Sequence, residues 1–359
     1  MNTLREDLHE LAAHAPDVDL ADLAIRGARR KRVVRLSLAA AVVAVGIAGG
    51  SAIRFQEVRP MPPVVLTPPE TKALPLPAKG VAPVQQAYRP SCRGGCKESE
   101  WRIVTRSGET FKMPAGPGPV EATADGRRIA YYSEKDRRIV VRDLASGRIW
   151  KAPLKQPKQD FAVEYTLRMS PNGLRFIVSG WGGRREPNML VDVEQGTVEQ
   201  LDKGWWPVSV ADDDGPVVLA KPYDDTTQVW VRGHKPVTIP DFTYDFSALN
   251  PDGRRLVRVG QFLSREAPRV QRDGTIVTFD ALTGGMQARV AVSGIPGDLK
   301  PAKLGGWLNA EEVTLIAIAE SPRSAVQAVA YAVNVLSGQA RELFPLHAEG
   351  AYAVPGLVG

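Results

Sequence analysis

The residue types that carry chemistry are thinly spread in this chain. Cys92 and Cys96 are its two cysteines, set four apart in Ser91-Cys92-Arg93-Gly94-Gly95-Cys96. A structural zinc site needs further Cys or His ligands, and the four histidines, His9, His14, His234 and His347, all lie away from that pair. A tiny disulfide loop between Cys92 and Cys96 is the expectation, with Gly94 and Gly95 allowing the tight turn; free thiols or a redox or metal site are the alternatives. No Gly-x-Ser-x-Gly elbow, P-loop or His-Glu-x-x-His helix occurs, which removes the commonest hydrolase, nucleotide and zinc-protease signatures. Asp212-Asp213-Asp214, with Asp224-Asp225 ten residues on, could in principle hold calcium. Asp213-Asp214-Gly215 also has turn chemistry, so a solvated turn is the expectation there. No metal, no cofactor and no catalytic residue is assigned, and the enzyme question stays open, leaning towards no.

Aromatic and guanidinium groups give the best binding candidates. Gly180-Trp181-Gly182-Gly183-Arg184-Arg185 places Trp181, Arg184 and Arg185 in a loop-like stretch, and Trp with Arg is the composition of a binding hot spot. Trp205 and Trp206, after Lys203-Gly204, form a weaker candidate of the same kind. Trp101, Trp150 and Trp230 sit in or beside strand-like runs and read as packing residues.

The elements that position these groups fall into four parts of a 359-residue chain with net charge +6. Met1–Arg35 has a capping-box pair in Thr3 and Glu6 and one helical face in Leu4, Leu8 and Leu11. Its seven basic and six acidic residues are polarised, since Arg26, Arg29, Arg30, Lys31, Arg32 and Arg35 gather at its end. Leu36–Ile53 is then uncharged for eighteen residues, about 27 Å of helix against a hydrocarbon core of ~30 Å. The basic residues before it, against Arg54 and Arg59 soon after, orient the N-terminus inward. An uncleaved signal-anchor is expected over a cleaved signal peptide at Gly50-Ser51-Ala52 or a buried core helix. Residues 54–90 hold nine prolines and read as an extended extracytoplasmic stalk.

From residue 91 to 359 the chain repeats itself. A turn followed by an apolar run appears at Asp125-Gly126, Asn172-Gly173 and Asp252-Gly253, more loosely at Asp214-Gly215, and without the glycine at Asn309-Ala310. A second marker is an apolar run ending in Asp with Gly four residues on: Asp143 and Gly147, Asp192 and Gly196, Asp280 and Gly284, with Asn334 and Gly338 as a variant. Gly108 and Gly233 keep the turn without the acid. Successive turn glycines stand 39, 49, 37, 51 and 54 residues apart. The runs between are β-branched and aromatic, of strand length. Two hairpins per repeat make a four-stranded sheet, and such sheets arranged radially are a β-propeller. The all-β fold class follows, with six blades expected and five as the alternative count; Ala351–Leu357 is available to complete the first blade.

Ser170-Pro171-Asn172-Gly173 and Asn250-Pro251-Asp252-Gly253, each followed by the later Asp-x-x-x-Gly, resemble the blades of TolB-like and WD-repeat-like propellers over residues 92–346. No Trp-Asp dipeptide ends a blade. The layout of basic tail, span, stalk and propeller also resembles actinobacterial single-span membrane proteins. This architecture, together with the absence of a catalytic constellation, makes a membrane-anchored module that binds a protein or small-molecule ligand outside the cell the leading expectation. Two other functions fit: an anti-sigma-like transmembrane regulator whose residues 1–35 bind a cytoplasmic protein, and a propeller hydrolase or lyase with a metal in its channel. Basic residues after Arg35 number 39 against 34 acidic and are scattered, so nucleic acid is not an expected partner.

Overall fold

Short β-branched runs separated by Asp-Gly and Asn-Gly turns build nothing but strands in the computed structural model, which describes residues 73–90, 100–116, 118–155, 165–180, 188–263, 270–319, 327–347 and 351–357. The cytoplasmic-tail and membrane-span expectations for 1–35 and 36–53 lie outside the described residues, as do Cys92, Cys96, Trp181, Arg184 and Arg185. Among the described residues no helix is long and apolar enough to cross a membrane.

Six sheets follow one another along the chain. Blade 2 is β5 (Val120–Ala122), β6 (Arg128–Ser133), β7 (Arg138–Asp143) and β8 (Ile149–Lys151), paired antiparallel in sequence order. Blade 3 repeats this with β9 (Tyr165–Met169) to β12 (Thr197–Gln200), blade 4 with β13 (Trp206–Val210) to β16 (Val237–Ile239), and blade 6 with β20 (Leu299–Trp307) to β23 (Ala340–Pro345). Blade 5 has three full strands, β17 (Arg255–Leu263), β18 (Val270–Asp280) and β19 (Met286–Ala291). Its first strand is reduced to a bridge between Phe246 and Arg258. Neighbouring sheets meet chiefly through their first strands, β5 with β9 and β9 with β13, so these strands surround the axis and their free edges line a central channel.

Blade 1 joins both ends of the repeat. β2 (Val84–Tyr88), β3 (Arg102–Thr105) and β4 (Thr110–Lys112) are its later strands, and β24 (Tyr352–Ala353), from the C-terminal stretch, is its first, with Ala353 opposite Ala87 and Tyr352 opposite Tyr88. Gln86 strengthens the join by exchanging two side-chain hydrogen bonds of 3.1 Å with the backbone of His347. Two segments of residues 54–90, the stretch expected to be a stalk, are strands of this blade: β1 (Leu74–Pro75) and β2. The physical reason lies in where the prolines fall. Pro75 occupies an outermost edge strand, where a missing N–H costs no ladder bond, and Val84–Tyr88 contains no proline.

Six apolar clusters occupy the six seams between blades. Trp101 and Trp150 are buried in the first two, and Trp230 packs against the seam of blades 3 and 4. The seam between blades 6 and 1 holds Ile316, Ala328, Ala330, Val354 and Leu357 as its buried residues. Beside it lies a cleft of about 500 Å³ bordered by Val84, Arg106, Leu308, Glu312, Phe344 and Val354.

The two sequence markers are the two hairpin turns of each blade, and both fall on one face. Asp143 accepts from the Ser146 N–H at 2.8 Å, Asp192 from Glu194 and Gln195 at 2.9 and 2.8 Å, and Asp280 from Leu282 and Thr283 at 2.8 and 3.0 Å. Asn334 does the same for Leu336 and Ser337. These are Asx turns, in which the side chain replaces a backbone acceptor. Gly147 and Gly338 are constrained twice: φ is +76° and +75°, and a Cβ would collide with the Ala78 and Ala291 carbonyl oxygens of the preceding blade.

Candidate functional site

Because strands alternate in direction, the second-to-third strand hairpins and the blade-to-blade connections share the opposite face. The first strands enter the channel from there, and they carry the charged groups that the turn markers do not announce. Val120 and Ala122 of β5 face the seam with blade 1, which turns Glu121 towards blade 3. There its carboxyl accepts a hydrogen bond from the Met169 N–H on the free edge of β9 and lies beside Arg168. Glu121 is 7 % exposed and its Oε2 has no hydrogen-bond partner. Burial outweighs Arg168 and the Met169 bond and pushes its pKa up to about 8, so the group is largely protonated at neutral pH.

Arg168 is equally buried, 5 % exposed, and donates to the Leu167 carbonyl at 2.7 Å. Burial lowers its pKa, opposed by Glu121 and by Asp245. Asp245 belongs to blade 5, two blades away from Arg168, so this interaction runs across the channel. Asp245 also feels Lys303 of β20 and Arg272 of β18, the latter at 4.0 Å. Burial raises its pKa despite these three cations. Tyr352 of β24 completes the set: burial, then Asp245, raises its phenol, with Arg272 opposing. Asp245 is thus the point on which groups from blades 1, 3, 5 and 6 converge, and Glu121 adds blade 2 through Arg168.

An aromatic rim adjoins the cluster. Trp206, at the start of β13, meets Tyr244 edge-on at 5.1 Å, and Phe242 meets Tyr244 at 5.4 Å. Tyr244 is 40 % exposed and immediately precedes Asp245. Of the two expected tryptophans, Trp206 therefore stands at the channel mouth. Trp205 packs into the seam between blades 3 and 4, 5.2 Å from the Trp230 ring, and its carbonyl accepts from Asn188. Asp212, Asp213 and Asp214 lie at the first hairpin of blade 4, where Asp212 accepts from the Asn172 N–H at 2.8 Å and Asp213 has φ +47°. Asp224 and Asp225 are exposed at a hairpin of the same blade. Among the described residues no group of three or more His, Cys, Asp or Glu is placed to hold a metal ion.

A second charged group locks blades 4 and 5 together. Arg258, on β17, ion-pairs with Asp241 from the link between the blades, and Arg289 pairs with Asp273 beside it. Every member of this group has a partner inside it, and its work is structural.

Glu121, Arg168 and Asp245 escape sequence reading for an identifiable reason. Each is a single charged residue inside an apolar strand or short link, with no spacing relation to the others; only ring closure brings them together. The one available signal was a charge at an inward-facing strand position, where solvent does not explain it.

No family model and no curated protein matches this chain. Solved structures do. TolB from Acinetobacter baumannii is 14 % identical, with a TM-score of 0.50 over 77 % of this chain and 66 % of that one. The chain thus spans about two thirds of that protein's length. A putative TolB from Agrobacterium tumefaciens is 12 % identical, with a TM-score of 0.46 over 73 % and 88 % of the two chains. An acylaminoacyl peptidase from Pyrococcus horikoshii is 15 % identical, with a TM-score of 0.44 over 73 % and 44 %. At these identities the likeness concerns fold alone; with the six sheets described above, the chain carries a TolB-like β-propeller of six blades.

Proposed function

We propose that this chain is a membrane-anchored, extracytoplasmic binding module that receives its ligand at the channel mouth bounded by Trp206, Tyr244 and Tyr352. The observation that carries the reading is the convergence of ionisable groups from five blades on one channel, anchored at Asp245. Structural ion pairs in this fold join neighbouring strands or neighbouring blades, as Arg258 and Asp241 do. Arg168 and Asp245 instead come from blades two apart in the ring and still interact electrostatically, and perturbed ionisable groups brought together in this way mark candidate recognition sites. The anchor is Leu36–Ile53, with residues 1–35 inside; the support is the uncharged run and the basic residues before it.

Two measurements test this. Alkaline carbonate extraction with protease digestion of spheroplasts should leave the full-length chain in the membrane pellet with only residues 54 onward cleaved; a soluble or protease-protected propeller contradicts the anchor. A peptide array probed with the detergent-solubilised full chain should show bound sequences whose signal falls at least tenfold in Trp206→Ala and Tyr244→Ala. Binding that survives both substitutions unchanged contradicts the channel as the site.

A further inference from the structure

We propose that the cleft between blades 6 and 1 is a second binding site, which takes an extended peptide of a partner protein with leucines at alternate positions and an acidic residue three after the second leucine. This site lies apart from the channel and does not depend on it.

The molecule holds its own example of the binding mode one seam further round the ring. Leu74–Val81 joins blade 1 from outside. β1 pairs parallel with the outer strand β4, Leu74 opposite Phe111 and Pro75 opposite Lys112, so blade 1 has five strands where the others have at most four. The segment then leaves the strand edge and wedges between blades 1 and 2. The Pro77 carbonyl accepts from Arg142, and the Gly80 and Val81 N–H groups donate to the Ala145 and Leu144 carbonyls at 2.8 and 3.0 Å. Leu76 and Val81 add their side chains to the apolar cluster of that seam. Edge pairing thus supplies backbone bonds, and the seam takes side chains of the added strand.

The corresponding place between blades 6 and 1 is the cleft. β23 is the last strand of its sheet, and among the described residues no fifth strand lies beyond it. Gly147 abuts Ala78, whereas a Cβ on Gly108, in the matching hairpin of blade 1, would meet nothing within 4 Å. The cleft of about 500 Å³ opens between these elements, lined by Leu343 and Phe344 of β23, Leu308, Val354 and Arg106. Its size is that of a ligand site, roughly 300–1,000 Å³. Leu308 is exposed and Leu343 and Phe344 are half-buried, an apolar surface that a leucine-bearing strand would cover. The β22–β23 hairpin leans the other way, with Val335 buried in the seam with blade 5 and Gly338 against Ala291, so Leu336 is not part of this site.

The charge at the hairpin separates the partner from the internal segment. Arg106 stands two residues before Gly108, as Ala145 stands two before Gly147, and Ala145 is the residue that meets Gly80, next to Lys79. Among the described residues the Arg106 side chain has no hydrogen-bond or ion-pair partner, and Arg341 reaches only Glu312, at 3.6 Å. Glu312, the one carboxylate lining the cleft, is also bonded by Asn309 at 2.8 Å, and Glu109 of the hairpin by Ser107 at 2.9 Å. A lysine placed as Lys79 is would meet Arg106 at like charge, and a glutamate there would pair with it. The occupant is therefore a different chain carrying an acid at that position, and not Leu74–Val81 of a second copy.

The test uses the full chain in lipid nanodiscs and fluorescein-labelled Leu-Pro-Leu-Pro-Ala-Glu-Gly-Val-amide, read by anisotropy. Two companion peptides carry lysine in place of glutamate, or aspartate in place of both leucines. The glutamate peptide should bind about threefold more tightly than the lysine peptide and at least tenfold more tightly than the aspartate peptide. Leu308→Glu, on a residue 41 % exposed, should weaken it at least tenfold. Arg106→Gln should keep the binding and remove the preference for glutamate over lysine, and Trp206→Ala should change nothing. No binding at about 1 mM, binding unchanged in Leu308→Glu, or an aspartate peptide that binds equally well overturns the site. Equal glutamate and lysine binding overturns the acidic residue, and a dimer of the full chain that Leu308→Glu dissociates overturns the partner in favour of a second copy. Loss of binding in Trp206→Ala moves the peptide to the channel, which overturns the cleft and leaves the channel reading standing.

Discussion

Asp280 shows how much one repeated carboxylate does. Its Oδ1 closes the turn through Leu282 and Thr283, while Oδ2 takes two bonds from Arg254 at 2.9 and 2.6 Å, tying the two hairpins of blade 5 together. Burial alone would raise its pKa; these hydrogen bonds outweigh it and hold the carboxyl below the ordinary range, as happens at Asp143 and Asp252. A carboxyl with a depressed folded pKa stabilises the fold above its unfolded value near 3.9 and loses that contribution as pH falls through the folded value. Asp280→Ala should therefore cost about 1–3 kcal/mol in urea unfolding at pH 7, and the gap from wild type should shrink below pH 4. Glu121 has the opposite sign. Its folded pKa of about 8 lies above the unfolded value of 4.5, so between those limits the unfolded chain releases a proton that the folded chain keeps. Stability then declines by up to about 1.4 kcal/mol per pH unit. Glu121→Gln should be more stable than wild type at pH 8, and the two should converge near pH 4.5. A constant difference across that range would contradict the buried, protonated state.

Strands and turns were the readable scale. Asp-Gly and Asn-Gly state their own backbone conformation, and β-branched runs such as Thr275–Phe279 state their strand, so blade turns were legible from Asp125 to Gly338. Asp143, Asp192 and Asp280, visible in the sequence as repeat markers, cap these turns through their hydrogen bonds. Blade 1 was not legible, because its four core strands come from both ends of the repeat and its edge strand contains Pro75, which reads as stalk in isolation. Two substitutions separate local from inter-blade demands. Gly196→Ala meets no atom within 4 Å and should cost only the left-handed backbone penalty, about 1–2 kcal/mol. Gly147→Ala adds a collision with Ala78 of blade 1 and should cost clearly more in the same thermal or urea unfolding experiment. Equal costs would mean that blades 1 and 2 are not packed as described.

At the scale of the whole ring, closure and function depend on the same strand. β24 pairs with β2, Val354 and Leu357 fill the seam between blades 6 and 1, and Tyr352 reaches the channel cluster. Ending the chain before Ala351 should open the ring at blades 6 and 1, with a broad, low-temperature unfolding transition in place of a cooperative one. Burial of Val354 and Leu357 alone accounts for about 1.5–3 kcal/mol each. The channel was invisible from sequence because Glu121, Arg168, Asp245, Lys303 and Tyr352 are separated by up to half the chain or more and share no motif; closure is what makes them one site. The most direct test of that site is site-specific photocrosslinking in intact cells, with a photoreactive phenylalanine at Tyr244 on the channel mouth or at Leu336, which is 57 % exposed on the opposite face. The account predicts a discrete crosslinked species from position 244, reduced in the Arg272→Gln background, and none from position 336. Crosslinks from position 336 alone, or equal crosslinks from both positions, would contradict it.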